Sequence, residues 1–146
     1  MIITIMKAYE IPVSRPVLKM LKRDHGYSRH LVISRWVFGK ALGDPVNWER
    51  YLNDLKPHQV RITLVCRYAS KGKLYTIARL MEYEFETKMV LYVQGAVEGG
   101  LPAYEAIRCF LEKYDVSEED LKFETAVKRW QRFQNKEYQR DLIPLW

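Results

Sequence analysis

Two amphipathic helical patterns, which run one after the other from Leu101 to Arg140, constrain the fold of this chain most strongly. Pro102 suits the first turn of a helix, where its missing N–H group costs nothing. The apolar residues of the first pattern recur at helical spacing, at Ala103, Ile107, Phe110 and Leu111. The segment from Tyr114 to Ser117 interrupts this spacing, so a first helix with one buried face is predicted to end there.

The second pattern predicts another helix, with Ser117 as its N-cap and a first turn whose acidic residues complement the helix dipole. Its apolar residues share one arc of the helix: Phe123, Ala126, Val127, Trp130 and Phe133. Its basic residues fall on an adjacent arc: Lys122, Lys128, Arg129, Arg132, Lys136 and Arg140. The stretch therefore predicts a helix-turn-helix-like hairpin with a basic ridge, in which Trp130 and Phe133 belong to the core.

A longer helix is predicted before this hairpin, from about Leu74 to Val97, and Gly99-Gly100 ends it. Residues 73–80 could also form the return strand of a β-hairpin, after the alternating strand Gln59–Tyr68 and a turn at residues 71–73. Helical spacing of the apolar residues continues for many turns, however, and this favours the helix. Its glutamates, Glu82, Glu84, Glu86 and Glu98, are interpreted as a solvated face.

The N-terminal half mixes strand and helix patterns. A β-branched run at residues 1–6 predicts a first strand, and Pro12 and Pro16 bracket a predicted break. Ser14 is expected to cap a helix that ends at Gly26, and Leu31–Ser34 reads as a strand. Helical spacing returns from Trp48 to Leu55. The predicted class is α+β: one domain over 1–146, with a small sheet and basic helices in an α/β portion (1–73) and a mainly helical portion (74–146).

The net charge of +6 is unevenly distributed along the chain. Residues 1–80 contain 15 Lys and Arg against 5 Asp and Glu, whereas residues 101–146 contain 8 against 9. Clustered positive charge is typical of proteins with a phosphate-rich partner, so the N-terminal half predicts nucleic-acid contacts. The candidate contact residues of this half are Arg15, Lys19, Lys22, Arg23, Arg29 and Arg35.

A second candidate set lies on the predicted C-terminal helix, at Lys128, Arg129, Arg132 and Lys136. In the usual helix-turn-helix docking, the N-terminal residues of the second helix meet the base edges. Here those residues are acidic, at positions 118–120, and would repel phosphates. Binding would therefore use the later turns, and the alternative is a solvated basic face beside a packed apolar stripe.

No pattern in the sequence favours catalysis, a cofactor or a metal. His25, His30 and His58 lack the three or four convergent ligands that a metal site needs. Cys66 and Cys109 are interpreted as reduced core residues. No run of about 20 apolar residues predicts a membrane span, and the first residues lack the features of an export signal. A non-enzymatic cytoplasmic protein without a membrane partner is expected.

The segments Glu10–Gly26 and Arg35–Leu42, EIPVSRPVLKMLKRDHG and RWVFGKAL, resemble the opening of a group of small uncharacterised proteins. These proteins are found with bacteriophages and other bacterial mobile elements. The closing segment Ala106–Phe133 resembles the end of the same group, where a Lys-Tyr turn, acidic residues and a Lys/Arg-aromatic helix recur. The resemblance implies a mobile-element setting and a DNA-linked role, and it supplies no catalytic residues.

The charge distribution and the resemblance together predict a non-enzymatic DNA-binding protein. A regulatory protein is one form that this function can take. The alternative is an interaction or assembly factor whose long helix forms homo- or hetero-oligomers. In that case, apolar positions on the helix such as Tyr83 and Val90 are expected to be exposed.

Overall fold

A computed structural model of the chain describes residues 5–33, 43–45 and 47–135. The elements in these ranges are β1 (Lys7–Ser14), α1 (Arg15–Asp24), β2 (Leu31–Val32), α2 (Trp48–Asn53), β3 (Gln59–Cys66), α3 (Lys71–Glu98), α4 (Ala103–Lys113) and α5 (Phe123–Gln134). The predicted α+β class is confirmed. The chain divides into two compact units, residues 1–82 and 83–146, so the division falls inside α3. The candidate residues Arg35, Lys136 and Arg140 lie outside the described residues.

The first unit contains a three-stranded sheet with the strand order β1-β3-β2. β1 pairs antiparallel with β3, with Ile11 opposite Ile62, and β2 pairs parallel with β3, with Leu31 opposite Leu64. Along β3 the buried residues Ile62, Leu64 and Cys66 alternate with exposed or half-buried ones. This alternation is the predicted one, because successive side chains of a strand point to opposite faces of the sheet.

The first described strand is β1, and residues 1–4 of the strand predicted at residues 1–6 lie outside the described residues. The strand begins at Lys7, and Ile5 and Met6 precede it as exposed residues without regular structure. Pro12, which was interpreted as part of a break, lies within the strand opposite Arg61. β1 is an edge strand, where a residue without an N–H group is tolerated.

α1 follows β1 directly and begins where the sequence predicts, with Ser14 as its N-cap. The Ser14 side chain makes no capping bond to α1. Instead, the Glu82 carboxylate of α3 accepts two hydrogen bonds, from the Ser14 N–H at 2.7 Å and the Ser14 hydroxyl at 2.8 Å. Glu82 was predicted to belong to a solvated face. Its two bonds to Ser14 show instead that it holds the start of α1. The helix buries Pro16, Val17, Met20 and Leu21.

α3 settles the ambiguity over residues 73–80 in favour of the helix. It begins at Lys71, so the predicted turn at residues 71–73 is its first turn. There the Lys73 N–H donates to the Ser70 hydroxyl at 3.2 Å. The helix has 28 residues and ends before the two glycines, where Gly100 takes a positive φ of 98°. The alternation of β3 stops at the strand end, and helical spacing replaces it.

The second unit packs α4 and α5 with the C-terminal part of α3 around aromatic side chains. Phe110 lies 5.5 Å from Phe85 and 4.9 Å from Tyr114, measured between ring centroids. On α5, Trp130 is 2% exposed and stacks on Phe133 at 5.6 Å, so both belong to the core as predicted. Rings at these distances contribute to stability beyond their buried area.

The connection between α4 and α5 is longer than predicted, because α5 begins at Phe123 and not after Ser117. Ser117 and Asp120 form a separate turn, in which the Asp120 carboxylate accepts the Ser117 N–H at 3.0 Å. The side chains of Val116 and Leu121 are buried on either side of this turn. The acidic residues expected in the first turn of α5 therefore lie in the connection.

Two further expectations are wrong. Cys109 is exposed on α4, whereas Cys66 is buried as predicted, and both are free thiols. Val90, expected to be an exposed position of α3, is fully buried, and its neighbour Leu91 is 58% exposed instead. Helical spacing thus predicted the right element but not the orientation of these residues.

Candidate nucleic-acid interface

The basic residues of α1 share the side of the helix opposite its buried residues. At about 100° per residue, Arg15, Lys19 and Lys22 fall within an arc of about 60°, and Arg23 borders it. Lys22 and Arg23 are exposed, and Arg15 and Lys19 are half-buried. Because the apolar side packs in the first unit, the helix holds four cationic side chains on one surface. We call these four residues the α1 ridge.

Arg29 lies between α1 and β2 and is exposed. It extends the positive charge of the first unit beyond the α1 ridge. Five of the six candidate residues of the N-terminal half are therefore described, and four of them are on one helix.

The candidate residues of α5 lie in the second unit and have acidic partners. Lys128 pairs with Glu124 of the same helix at 3.4 Å. Arg129 and Arg132 both contact one Glu86 carboxylate of α3, at 3.7 Å and 3.8 Å. The Glu86 side chain is 16% exposed, so it too departs from the predicted solvated face. These ion pairs reduce the positive potential that α5 offers to a phosphate.

A further basic surface, which the sequence interpretation missed, surrounds the end of β3. Tyr68 is 71% exposed, and the Lys7 ammonium lies over its ring, 5.6 Å from the ring centroid. The cationic residues of this surface are Lys7, Arg67, Lys71 and Lys73, all exposed. We call Lys7 and residues 67–73 the Tyr68 surface.

A sequence signal for the Tyr68 surface exists. Residues 55–81 contain six Lys or Arg and no Asp or Glu, and Tyr68 lies in the middle of this range. Interleaved basic and aromatic residues are typical of surfaces that bind single-stranded nucleic acids. The signal was hidden because the strand and the helix on either side were interpreted for their periodicity alone.

Two groups of the first unit, Tyr51 and Cys66, have raised pKa values. Burial raises the pKa of Tyr51 to about 12, with a smaller contribution from Tyr75, whose ring centroid lies 5.3 Å away. Burial also raises the pKa of the Cys66 thiol, which disfavours the reactive thiolate. Within the described ranges, no three His, Cys, Asp or Glu residues are placed to hold a metal ion.

The second unit contains an open cleft of about 330 Å³ between α4 and the α4–α5 connection. Leu111, Val116 and Leu121 supply its apolar lining. Its charged lining has both signs, from Arg108 and from Glu112 and Glu118. The cleft therefore shows no preference for an anion.

In comparisons with known proteins, no family model, curated protein or solved structure matches this chain. Among the helices in the described residues, none is both long enough and apolar enough to cross a membrane. The case for a function therefore depends on the surfaces of the two units.

Proposed function

We propose that the protein is a non-enzymatic nucleic-acid-binding protein whose 1–82 unit contacts the phosphates. The observation that carries this proposal is the α1 ridge, with four basic residues on one side of a ten-residue helix. The surrounding charge supports it, because residues 1–80 have a net charge of +10. A phosphate backbone is the polyanion that such a surface attracts most strongly.

The dimensions of the α1 ridge fit a nucleic-acid backbone. From Arg15 to Arg23 the helix rises about 12 Å, over which one strand of a DNA duplex presents about three to four phosphates. Each phosphate that is neutralised releases condensed counterions, so affinity is expected to fall steeply with salt. Contacts to phosphates carry no sequence information directly, so a ridge that contacts phosphates favours binding over sequence specificity.

The resemblance to proteins of bacteriophages and mobile elements supports DNA as the partner. We therefore propose a regulatory role on the DNA of such an element, in the bacterial cytoplasm. This role is consistent both with the resemblance and with the positive charge of the first unit. Between the two predicted helices, α1 is preferred to α5, since residues 1–82 contain 15 Lys and Arg against 6 Asp and Glu, whereas residues 83–146 contain 9 against 12.

A fluorescence-anisotropy titration of a labelled 30-base-pair DNA duplex over a range of salt concentrations tests the proposal. The variant Lys19→Ala/Lys22→Ala should weaken binding and flatten the slope of log affinity against log salt by about one unit per lost contact. The matched control, Lys128→Ala/Arg132→Ala, removes two cations from α5 and should keep the wild-type slope.

Circular dichroism should show that both double variants stay folded, because exposed charges usually change stability by under about 1 kcal/mol. Absence of wild-type binding at micromolar protein and low salt, to duplex and to single-stranded DNA alike, would overturn the proposal. Equal losses in the two double variants would show that the contact is not specific to α1.

Assembly through α3 is a second candidate, favoured by Leu91, which is 58% exposed on the helix, and by Gly95, where an added side chain would meet nothing within 4 Å. A partner helix could approach closely at such a position. Light scattering measures this directly, as a mass above that of one 17.4 kDa chain.

A further inference from the structure

We infer that the nucleic acid bound by the 1–82 unit includes an unpaired stretch, one base of which stacks on Tyr68. The inference deepens the proposed function and rests on it, because it names the kind of nucleic acid. It uses the Tyr68 surface, which is separate in sequence from the α1 ridge.

The Tyr68 ring is exposed but its backbone is held on both sides. Cys66, two residues earlier, ends β3 opposite Lys7 and is 1% exposed. Ala69, the next residue, is 4% exposed, and its N–H donates to the Tyr9 hydroxyl at 3.1 Å. The backbone that carries the ring is thus held in place, which lowers the ordering entropy that binding a base would cost.

One cationic side chain lies over this ring, and three more are close to it in the sequence. Lys7 lies over it, and Arg67, Lys71 and Lys73 come from the seven residues that contain it. A nucleotide has a flat base joined to an anionic phosphate, so an exposed ring among cations matches both of its parts. An exposed tyrosine among acidic residues would match only the base and not the phosphate.

The geometry favours unpaired over paired nucleic acid. In a duplex the faces of the bases are covered by their neighbours, and a side chain reaches only edges and phosphates. A tyrosine ring can stack on a base only when that base is unstacked. Stacking tolerates any base, since every base has a π face, so the expected ligand class is single-stranded DNA or RNA without strong sequence preference.

The test measures the anisotropy of two labelled probes, a 20-nucleotide oligo-dT strand and a 20-base-pair duplex, with wild type and three variants. Tyr68→Ala should weaken oligo-dT binding about 5- to 150-fold, the range for loss of one base–aromatic stack. Duplex binding should change less than about twofold. Tyr68→Phe keeps the ring and should stay near wild type.

Tyr104→Ala is the matched control, because Tyr104 is 54% exposed in the second unit and its removal should leave both probes unaffected. If wild type binds the duplex but Tyr68→Ala binds oligo-dT as well as wild type does, the stacking inference is wrong and the proposed function stands. If wild type binds neither probe, the proposed function itself fails. An equal loss on both probes would assign Tyr68 to general phosphate contact and would also overturn the inference.

Discussion

The two units each present a helix with a basic side, yet their electrostatics differ because of where the acidic residues lie. Residues 1–82 contain 15 Lys and Arg against 6 Asp and Glu, whereas residues 83–146 contain 9 against 12. In the second unit, the acids Glu124 and Glu86 contact the basic side of α5. The comparison teaches that a basic helix face predicts anion binding only when the neighbouring elements are known.

The cores of the two units differ as well. The first unit buries mainly aliphatic side chains between sheet and helix, such as Ile11, Val13 and Ile62. The second unit buries large rings, including Phe85, Phe110 and Trp130. Side chains of this size leave large cavities when truncated, so the second unit should be the more sensitive to a single core substitution.

Trp130→Ala should have the largest effect on stability, with a loss of about 3–5 kcal/mol in the free energy of unfolding. Urea denaturation followed by circular dichroism measures this loss. Gln131→Ala, an exposed substitution on the same helix, is the control and should change stability by less than about 0.5 kcal/mol. At temperatures where the variant remains folded, nucleic-acid affinity should stay at the wild-type value. A parallel loss of affinity would contradict the assignment of binding to the first unit.

Glu82→Ala should have an intermediate effect, about 1–3 kcal/mol, because the Ser14 N–H loses a charged hydrogen-bond acceptor at the start of α1. The control is Glu98→Ala, which removes an exposed carboxylate from the end of the same helix, where it accepts a bond from Gln94. Thermal unfolding should separate the two variants by several degrees. Equal melting temperatures would mean that the Ser14 contact contributes nothing measurable.

Cys109→Ala, at an exposed position, should give the smallest change in the free energy of unfolding. The same variant also tests whether the thiol of the second unit reacts faster than the thiol of the first unit. In the folded wild type, an aromatic disulfide reagent should label Cys109 quickly. The labelling rate of Cys66 should be at least about 100-fold lower, because burial blocks access of the reagent to the thiol and raises the pKa of that thiol. Folded Cys109→Ala should therefore show almost no fast labelling until urea is added. A fast-reacting Cys66 would show that the first unit opens readily.

The features predictable from sequence are those with sustained periodicity. Apolar residues recur at helical spacing along α3 from Leu74 to Val93, and this outweighs the β-propensity of residues 73–80. The alternation in β3 and the Trp130–Phe133 core stripe follow from the same principle. In each case many residues make the same prediction, so an error at one position does not change the outcome.

The errors arise where a single residue supports the prediction. Ser117 was predicted to cap α5, but it forms a separate turn in which the Asp120 carboxylate accepts the Ser117 N–H and the Asp120 N–H donates to the Ser117 carbonyl oxygen. Pro12 was interpreted as a break because its place at a sheet edge depends on which strands pair. Likewise, the partners of Glu82 and Glu86 lie on other elements, and helical spacing on α3 cannot reveal them.

Two arginines of α5 share one carboxylate, that of Glu86. The charge balance of this contact is therefore tolerant of the loss of either arginine and sensitive to the loss of Glu86. If Arg129 or Arg132 is lost, the other remains to neutralise Glu86. If Glu86 is lost, both arginines lose this partner together and the α5 surface becomes more positive. A single nucleotide change in the Glu86 codon thus raises the positive charge around two arginines of α5 at once, which no change in either arginine codon can do by itself.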